Sequence, residues 1–294
     1  MKRKRTFLSK LHTNGAYYII SGCILLLGIP LYQLLVLIPQ GYSDALTSAG
    51  NANFTAYLAW IGNHTGQFIS YRVLLIIAFT LLLSLPFTLF RIIVAQEILG
   101  REEIVEESEM KEAEKVDEEI DTETEDKEEQ EPDGMPAFAW RGKGYAVIAA
   151  WAGFLGIMLF VLGTLASTIY LYIIGTSFTA SVSQYLAATN CGSSCISLSS
   201  TFTIIANTVG SGLLALACLF FGAVIARSGR NLWPGIWVAF SYIALAIAAL
   251  LSASAVEIAS APTAGQSVLT TPAILLFAIW ALWLGIMLIR LKPE

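Results

Sequence analysis

Lys143 and Arg227 bracket 83 residues without one Asp, Glu, Lys, Arg or His, opening as GYAVIAAWAGFLGIMLFVLGTLASTIYLYII (144–174). A water-facing surface is made largely of Lys, Glu, Arg and Asp, so a tract this long without them has no means of wetting itself. Its solvent is hydrocarbon. Reading outward from it, apolar residues are 56% of the 294 and charged residues 13%. A transmembrane helix needs about 20 mostly apolar residues. Six runs satisfy that: Ala16–Ile38, Ser70–Ala95, Tyr145–Ile174, Phe202–Ala226, Trp233–Ser254 and Pro272–Leu291. They are long and continuous, without the alternation of a barrel strand. The fold class is therefore all-α, a polytopic six-helix transmembrane bundle.

The net charge of −5 averages two unlike materials. Between Arg101 and Asp133 lie 18 acidic and 4 basic residues, a net of −14, which leaves +9 on everything else. Three segments follow: 1–100, with a basic flank, two spans and the first outer loop; 101–136, an acidic loop, partly helical and then unstructured; and 137–294, a four-helix unit. The basic residues form small clusters beside apolar runs rather than a broad cationic face, which excludes a nucleic-acid partner. If six helices alternate, Lys2, Arg3, Lys4, Arg5, Lys10, Arg141, Lys143, Arg227, Arg230, Arg290 and Lys292 all fall on one side. Positive charge marks the cytoplasm, so both termini and the acidic loop are expected inside a cell membrane, with only Arg72 opposite. The first run is read as a span, not a cleaved leader, because its apolar core is about twice the length of a signal sequence and no small-residue cleavage site follows.

Between helices in lipid, association depends on small residues and polar links. The third span carries Ala149, Gly153, Gly156, Gly163 and Ser167 on one face; the fourth carries Ser211, Ala215, Cys218, Gly222 and Ala226; the fifth carries Ser241, Ala244, Ala248 and Ser252. These three are expected to pack as a unit. The first two spans lack such a stripe and read as peripheral, with kinks at Pro30 and Pro86. Tyr42, Trp60 and Tyr71 at one boundary, and Trp140, Tyr145 and Trp233 at the other, read as interfacial anchors.

Chemistry is sparse. An ionisable group at membrane depth is a functional signal, and the third to sixth spans hold none before Arg290. Arg91 and Glu97 read as snorkelling residues, and Arg72 and Asp44 as an interfacial ion pair. Asn207, Thr208 and Ser211 form the strongest polar cluster and the candidate solute path, although interhelical hydrogen bonding suffices to explain it and is the preferred reading. The two histidines, His12 and His64, fall on opposite sides and cannot share a metal or haem, so no cofactor, metal or catalytic residue is assigned. Cys191-Gly-Ser-Ser-Cys195, in an outer segment, is a candidate disulfide closing a short loop. The sequons at Asn53 and Asn63 count only in a source that glycosylates.

Three functional readings follow. The first is a non-catalytic accessory, regulatory or scaffold component, not an enzyme, whose acidic loop meets a cytoplasmic protein partner. The second is a small-solute permease or channel with its path near Asn207. The third is a membrane thiol oxidoreductase using Cys191 and Cys195.

Overall fold

The structure, a computed structural model, describes residues 2–50, 54–96, 138–180, 191–260 and 269–290, with side chains for 9–48, 56–96, 144–176, 206–228, 233–259 and 269–290. The acidic loop 101–136 and the Asn53 sequon lie outside the described residues. Helices make up all regular structure among the described residues: α1 (Lys2–Cys23), α2 (Ile29–Tyr32), α3 (Tyr42–Gly50), α4 (Phe54–Asn63), α5 (Thr65–Leu81), α6 (85–96), α7 (Phe138–Ala180), α8 (Cys191–Leu232), α9 (Gly235–Ser260) and α10 (Thr270–Arg290). Among the described residues six stretches are long and apolar enough to cross a membrane: Ser9–Gln40, Thr65–Gln96, Gly144–Thr176, Ala206–Ser228, Gly235–Ala259 and Thr270–Arg290. This is a multi-pass membrane protein.

The two prolines act as backbone chemistry requires. Proline removes an N–H and clashes with the preceding turn of a helix. Around Pro30 the first span keeps going by loosening into π turns on either side, Ile24–Gly28 and Gln33–Leu37. At Pro86 the second span breaks: α5 stops at Leu81, the chain turns through 82–84, and α6 resumes with Pro86 in its first turn, where the missing N–H costs nothing.

That break exposes polar groups in an apolar setting, and the first span satisfies them. The Tyr18 hydroxyl lies 3.0 Å from Ser84 Oγ and 2.8 Å from Thr88 Oγ1. Asn14 Nδ2 donates to Thr88 Oγ1 at 2.9 Å, and Ser21 Oγ donates to the carbonyl of Ala78 at 2.8 Å. In lipid such links hold helices together.

The spans are arranged as a closed ring. Each packs on the next in sequence, and the sixth returns to the first. The returning seam is as tight as any in the molecule. A Cβ built on Gly285 would sit 2.7 Å from the Gly15 carbonyl oxygen, and one on Gly22 would sit 2.8 Å from Leu282 Cβ. The first two spans are therefore integral to the bundle, contrary to the peripheral position expected of them. Their seams use glycine and hydroxyl contacts spaced too widely to read as a stripe. One continuous apolar core fills the ring and draws buried side chains from all six spans, among them Leu25, Phe79, Ile157, Phe221, Phe240 and Phe277. Trp280 lies at its centre, stacked on Phe240 at 4.6 Å between ring centroids and donating Nε1–H to the Phe240 carbonyl at 3.1 Å.

Candidate functional site

The small residues of the third, fourth and fifth spans line the seams between these spans and, at Gly153, the seam with the second. A Cβ on Gly153 would meet Pro86 at 2.9 Å, one on Gly163 would meet Ala206 at 2.7 Å, and one on Gly222 would meet the Ser241 carbonyl oxygen at 2.9 Å. Ala149, Ala215, Cys218, Ala244 and Ala248 are buried, as are Ser167 and Ser241. Ser252 instead faces outward; Ser254, two residues on, turns inward and shares a 2.6 Å hydrogen bond with Thr270 Oγ1.

The polar cluster of the fourth span sits on one of these seams. A Cβ on Gly156 would lie 3.0 Å from both the Gly210 carbonyl oxygen and the Leu214 nitrogen, so the backbones of the third and fourth spans nearly touch beside Ser211. Ser211 is fully buried, and neither its Oγ nor Thr208 Oγ1 has a partner. Asn207 is half-buried and has an interaction of its own. The cluster carries hydroxyls and an amide, groups able to donate and accept hydrogen bonds but without charge.

Cys191 and Cys195 fall in the first turns of α8, so the stretch between them is helix rather than the short closed loop expected; their side chains lie outside the described residues. Cys218 is buried and Cys23 faces outward, both as free thiols. Among the described residues no three His, Cys, Asp or Glu gather at a distance fit for a metal ion.

The most elaborate constellation is one that the sequence reading dispersed into separate anchors. The first span ends in a 3₁₀ turn, Ile38–Gln40, and Gly41 adopts φ +80°, a left-handed conformation that glycine takes without strain. The chain then folds back through α3 and α4 before the second span begins. Trp60 Nε1 donates to the Gln40 carbonyl at 2.7 Å, closing the turn. Tyr42 packs against Trp60 at 4.8 Å, Tyr71 at 6.2 Å and Tyr57 at 6.4 Å between centroids. His64 stacks on the Trp60 ring at 5.0 Å. Gln33 Nε2 donates to the Tyr71 hydroxyl at 2.9 Å. These side chains, with Leu37, Ile61 and Phe68, form a second core separate from the main one.

Arg72 reaches into this aromatic nest from the second turn of the second span. Its guanidinium carbon stands 5.2 Å from the centroid of the Phe68 ring, one helical turn back, in cation–π geometry. Tyr57 reaches both the guanidinium and the Tyr42 hydroxyl, and the hydroxyls of Tyr42 and Tyr71 are near enough to act on the charge. Nε is shielded from solvent and has no partner. The ion pair expected with Asp44 is absent: Asp44 is exposed, on the opposite face of α3 from the buried Tyr42 and Ala45. Tyr42 and Trp60 are buried inside the nest rather than lying along the lipid boundary as anchors. Burial drives the Tyr42 phenol well above its ordinary pKa, and the neighbouring Tyr57 and Tyr71 push the same way while Arg72 opposes them, so it is neutral at physiological pH. A signal for the nest was present in the sequence: six aromatic residues and the isolated Arg72 lie from position 42 to position 72.

Compared with known proteins, the chain matches no family model, no curated relative and no solved structure.

Proposed function

We propose that this protein is a non-catalytic accessory or scaffold component of the cell membrane, with both termini and the acidic segment 101–136 in the cytoplasm, where that segment meets a protein partner. The observation that carries the reading is the closed, apolar ring. Its six seams enclose one hydrophobic core, and beside Asn207 the seam between the third and fourth spans is sealed by backbone contact at Gly156 and Gly210. A solute moving along Asn207, Thr208 and Ser211 would have to part that contact. The orientation rests on the basic clusters. The contact of Gly15 with Gly285 sets Lys10 and Arg290 at one end of the bundle, and Arg72 is at the other. The polyanionic segment follows α6 in sequence, and its charge suits a partner carrying positive charge.

The second reading, a permease, draws on the two hydroxyls of Thr208 and Ser211 that lack partners. Two measurements separate the readings and test the first. In-cell cross-linking of the full chain is expected to recover a defined cytoplasmic partner that is lost when residues 102–131 are deleted, while membrane insertion is unchanged. Recovery of the same partner from the deletion variant removes the scaffold reading. Impermeant thiol labelling of Asp44→Cys from outside, and of Ser228→Cys only after permeabilisation, checks the orientation; the opposite pattern inverts it.

A further inference from the structure

We propose that Arg72, with the hydroxyls of Tyr42, Tyr57 and Tyr71, forms a binding site for a phosphate group at the end of the bundle opposite the basic clusters. The site is independent of the scaffold reading and uses residues that reading leaves unemployed.

A guanidinium does not lose its proton in a protein. One packed against aromatic rings at the membrane edge, half-buried as Arg72 is, is stabilised by a counter-charge, since a poorly hydrated unpaired ion is costly. This chain does not supply one. The segments at the Arg72 end, 41–70, 175–205 and 255–271, contain only two carboxylates, Asp44 and Glu257. Asp44 faces away on the exposed side of α3. Glu257 sits on the fifth span, has an interaction of its own, and none of that span's described residues belongs to the second core. The undescribed residues of those segments include no Asp or Glu, so none of them supplies the missing acid. The cation–π contact with Phe68 softens the charge without cancelling it, and the neutral Tyr42 phenol adds none. Nε is shielded and without a partner, one donor of the guanidinium left unused, while the half-buried remainder of the fork is the part that can grip an oxyanion.

A carboxylate gripped by the guanidinium fork keeps only its outer lone pairs for the tyrosine hydroxyls, whereas a phosphate keeps at least one further oxygen for them. The setting suits a phosphate either free or at the head of a lipid. Arg72 lies two turns into the second span, and the adjoining surface carries exposed Leu34, Leu35, Ile38 and Val73, along which acyl chains would lie. Tyr71 is already oriented by Gln33, and Tyr57 by α4, so the cage is built before the ligand arrives.

The test uses the full chain, purified in detergent, with Arg72→Gln, Arg72→Lys and Tyr57→Phe variants. Each is titrated in two arms, with phosphatidylglycerol added to phosphatidylcholine nanodiscs and with inorganic phosphate in lipid-free micelles. Retained ligand is read by native mass spectrometry and midpoint of thermal unfolding. The wild type is expected to retain one phosphate-bearing species, with apparent affinity falling at least about 10-fold in Arg72→Gln and several-fold in Arg72→Lys, which keeps the charge and loses the fork. Response in the lipid arm alone identifies a headgroup, and response in the phosphate arm identifies the free ion; either supports the site. Equal retention by wild type, Arg72→Gln and Tyr57→Phe overturns it, as does equal competition by a fatty-acid carboxylate. If Arg72→Gln fails to fold, Arg72→Lys and Tyr57→Phe decide the matter, both preserving the packing of the nest.

Discussion

Asp44 and Arg72 bear opposite charges at the same end of the bundle, yet they stand apart. The reason is the period of a helix. In α3, Tyr42 and Ala45 share the buried face, and Asp44, two residues from Tyr42, points the other way. Charge and position along the chain were legible; the rotation of α3 about its axis was not, because its length and start depend on how Gly41 turns the chain. Tyr42 itself yields a prediction. Its phenol is held neutral in the folded protein above the pKa of about 10 that it has when exposed. Below pH 10 its contribution to stability is complete; above that, the unfolded chain loses a proton that the folded one keeps, and stability falls by about 1.4 kcal/mol per pH unit from this residue. Unfolding in detergent measured from pH 8 to 11 is expected to show a shallower loss in Tyr42→Phe than in the wild type. Identical slopes would mean that the Tyr42 phenol is not held neutral.

Elements meet through glycine wherever backbones approach, and these contacts were read unevenly from the sequence. The stripe of the third span stands out because Ala149, Gly153, Gly156 and Gly163 recur at intervals of four, three and seven residues. Gly15, Gly22 and Gly285 do the same work on two different spans, and a single residue on the sixth makes no pattern of its own. The pairing of first with sixth span is a property of the closed ring, invisible to a search for local periodicity. Gly285→Leu is expected to force the seam apart and cost about 1–3 kcal/mol, the range for overpacking a filled interface. Gly212, on the fourth span, has nothing within 4 Å of a built Cβ. Gly212→Ala should therefore stabilise by about 0.5–1 kcal/mol through helix propensity. Thermal unfolding of the two variants side by side checks both signs.

For the whole molecule, hydrocarbon length and the absence of charge made six helices legible, with boundaries that the structure extends by several residues. The run from 144 to 174, for instance, is part of a helix of 43 residues that continues past the apolar core at both ends. What composition could not reveal is closure, because the hydrophobic effect does not choose between helices already in lipid. Closure has a direct check. With Cys23→Ser as background, Gly22→Cys and Leu282→Cys should cross-link within one chain under mild oxidation, since the two positions abut. Cross-linking only between separate molecules, or none, would show the first and sixth spans apart.

The seam of Gly15 and Gly22 against Gly285 and Leu282 also imposes a timetable on biogenesis. During synthesis the first span enters the bilayer long before its counterpart on the sixth has been translated. Until then its glycine face looks onto acyl chains or a guardian protein, and the nascent bundle is an open crescent that only the sixth span can shut.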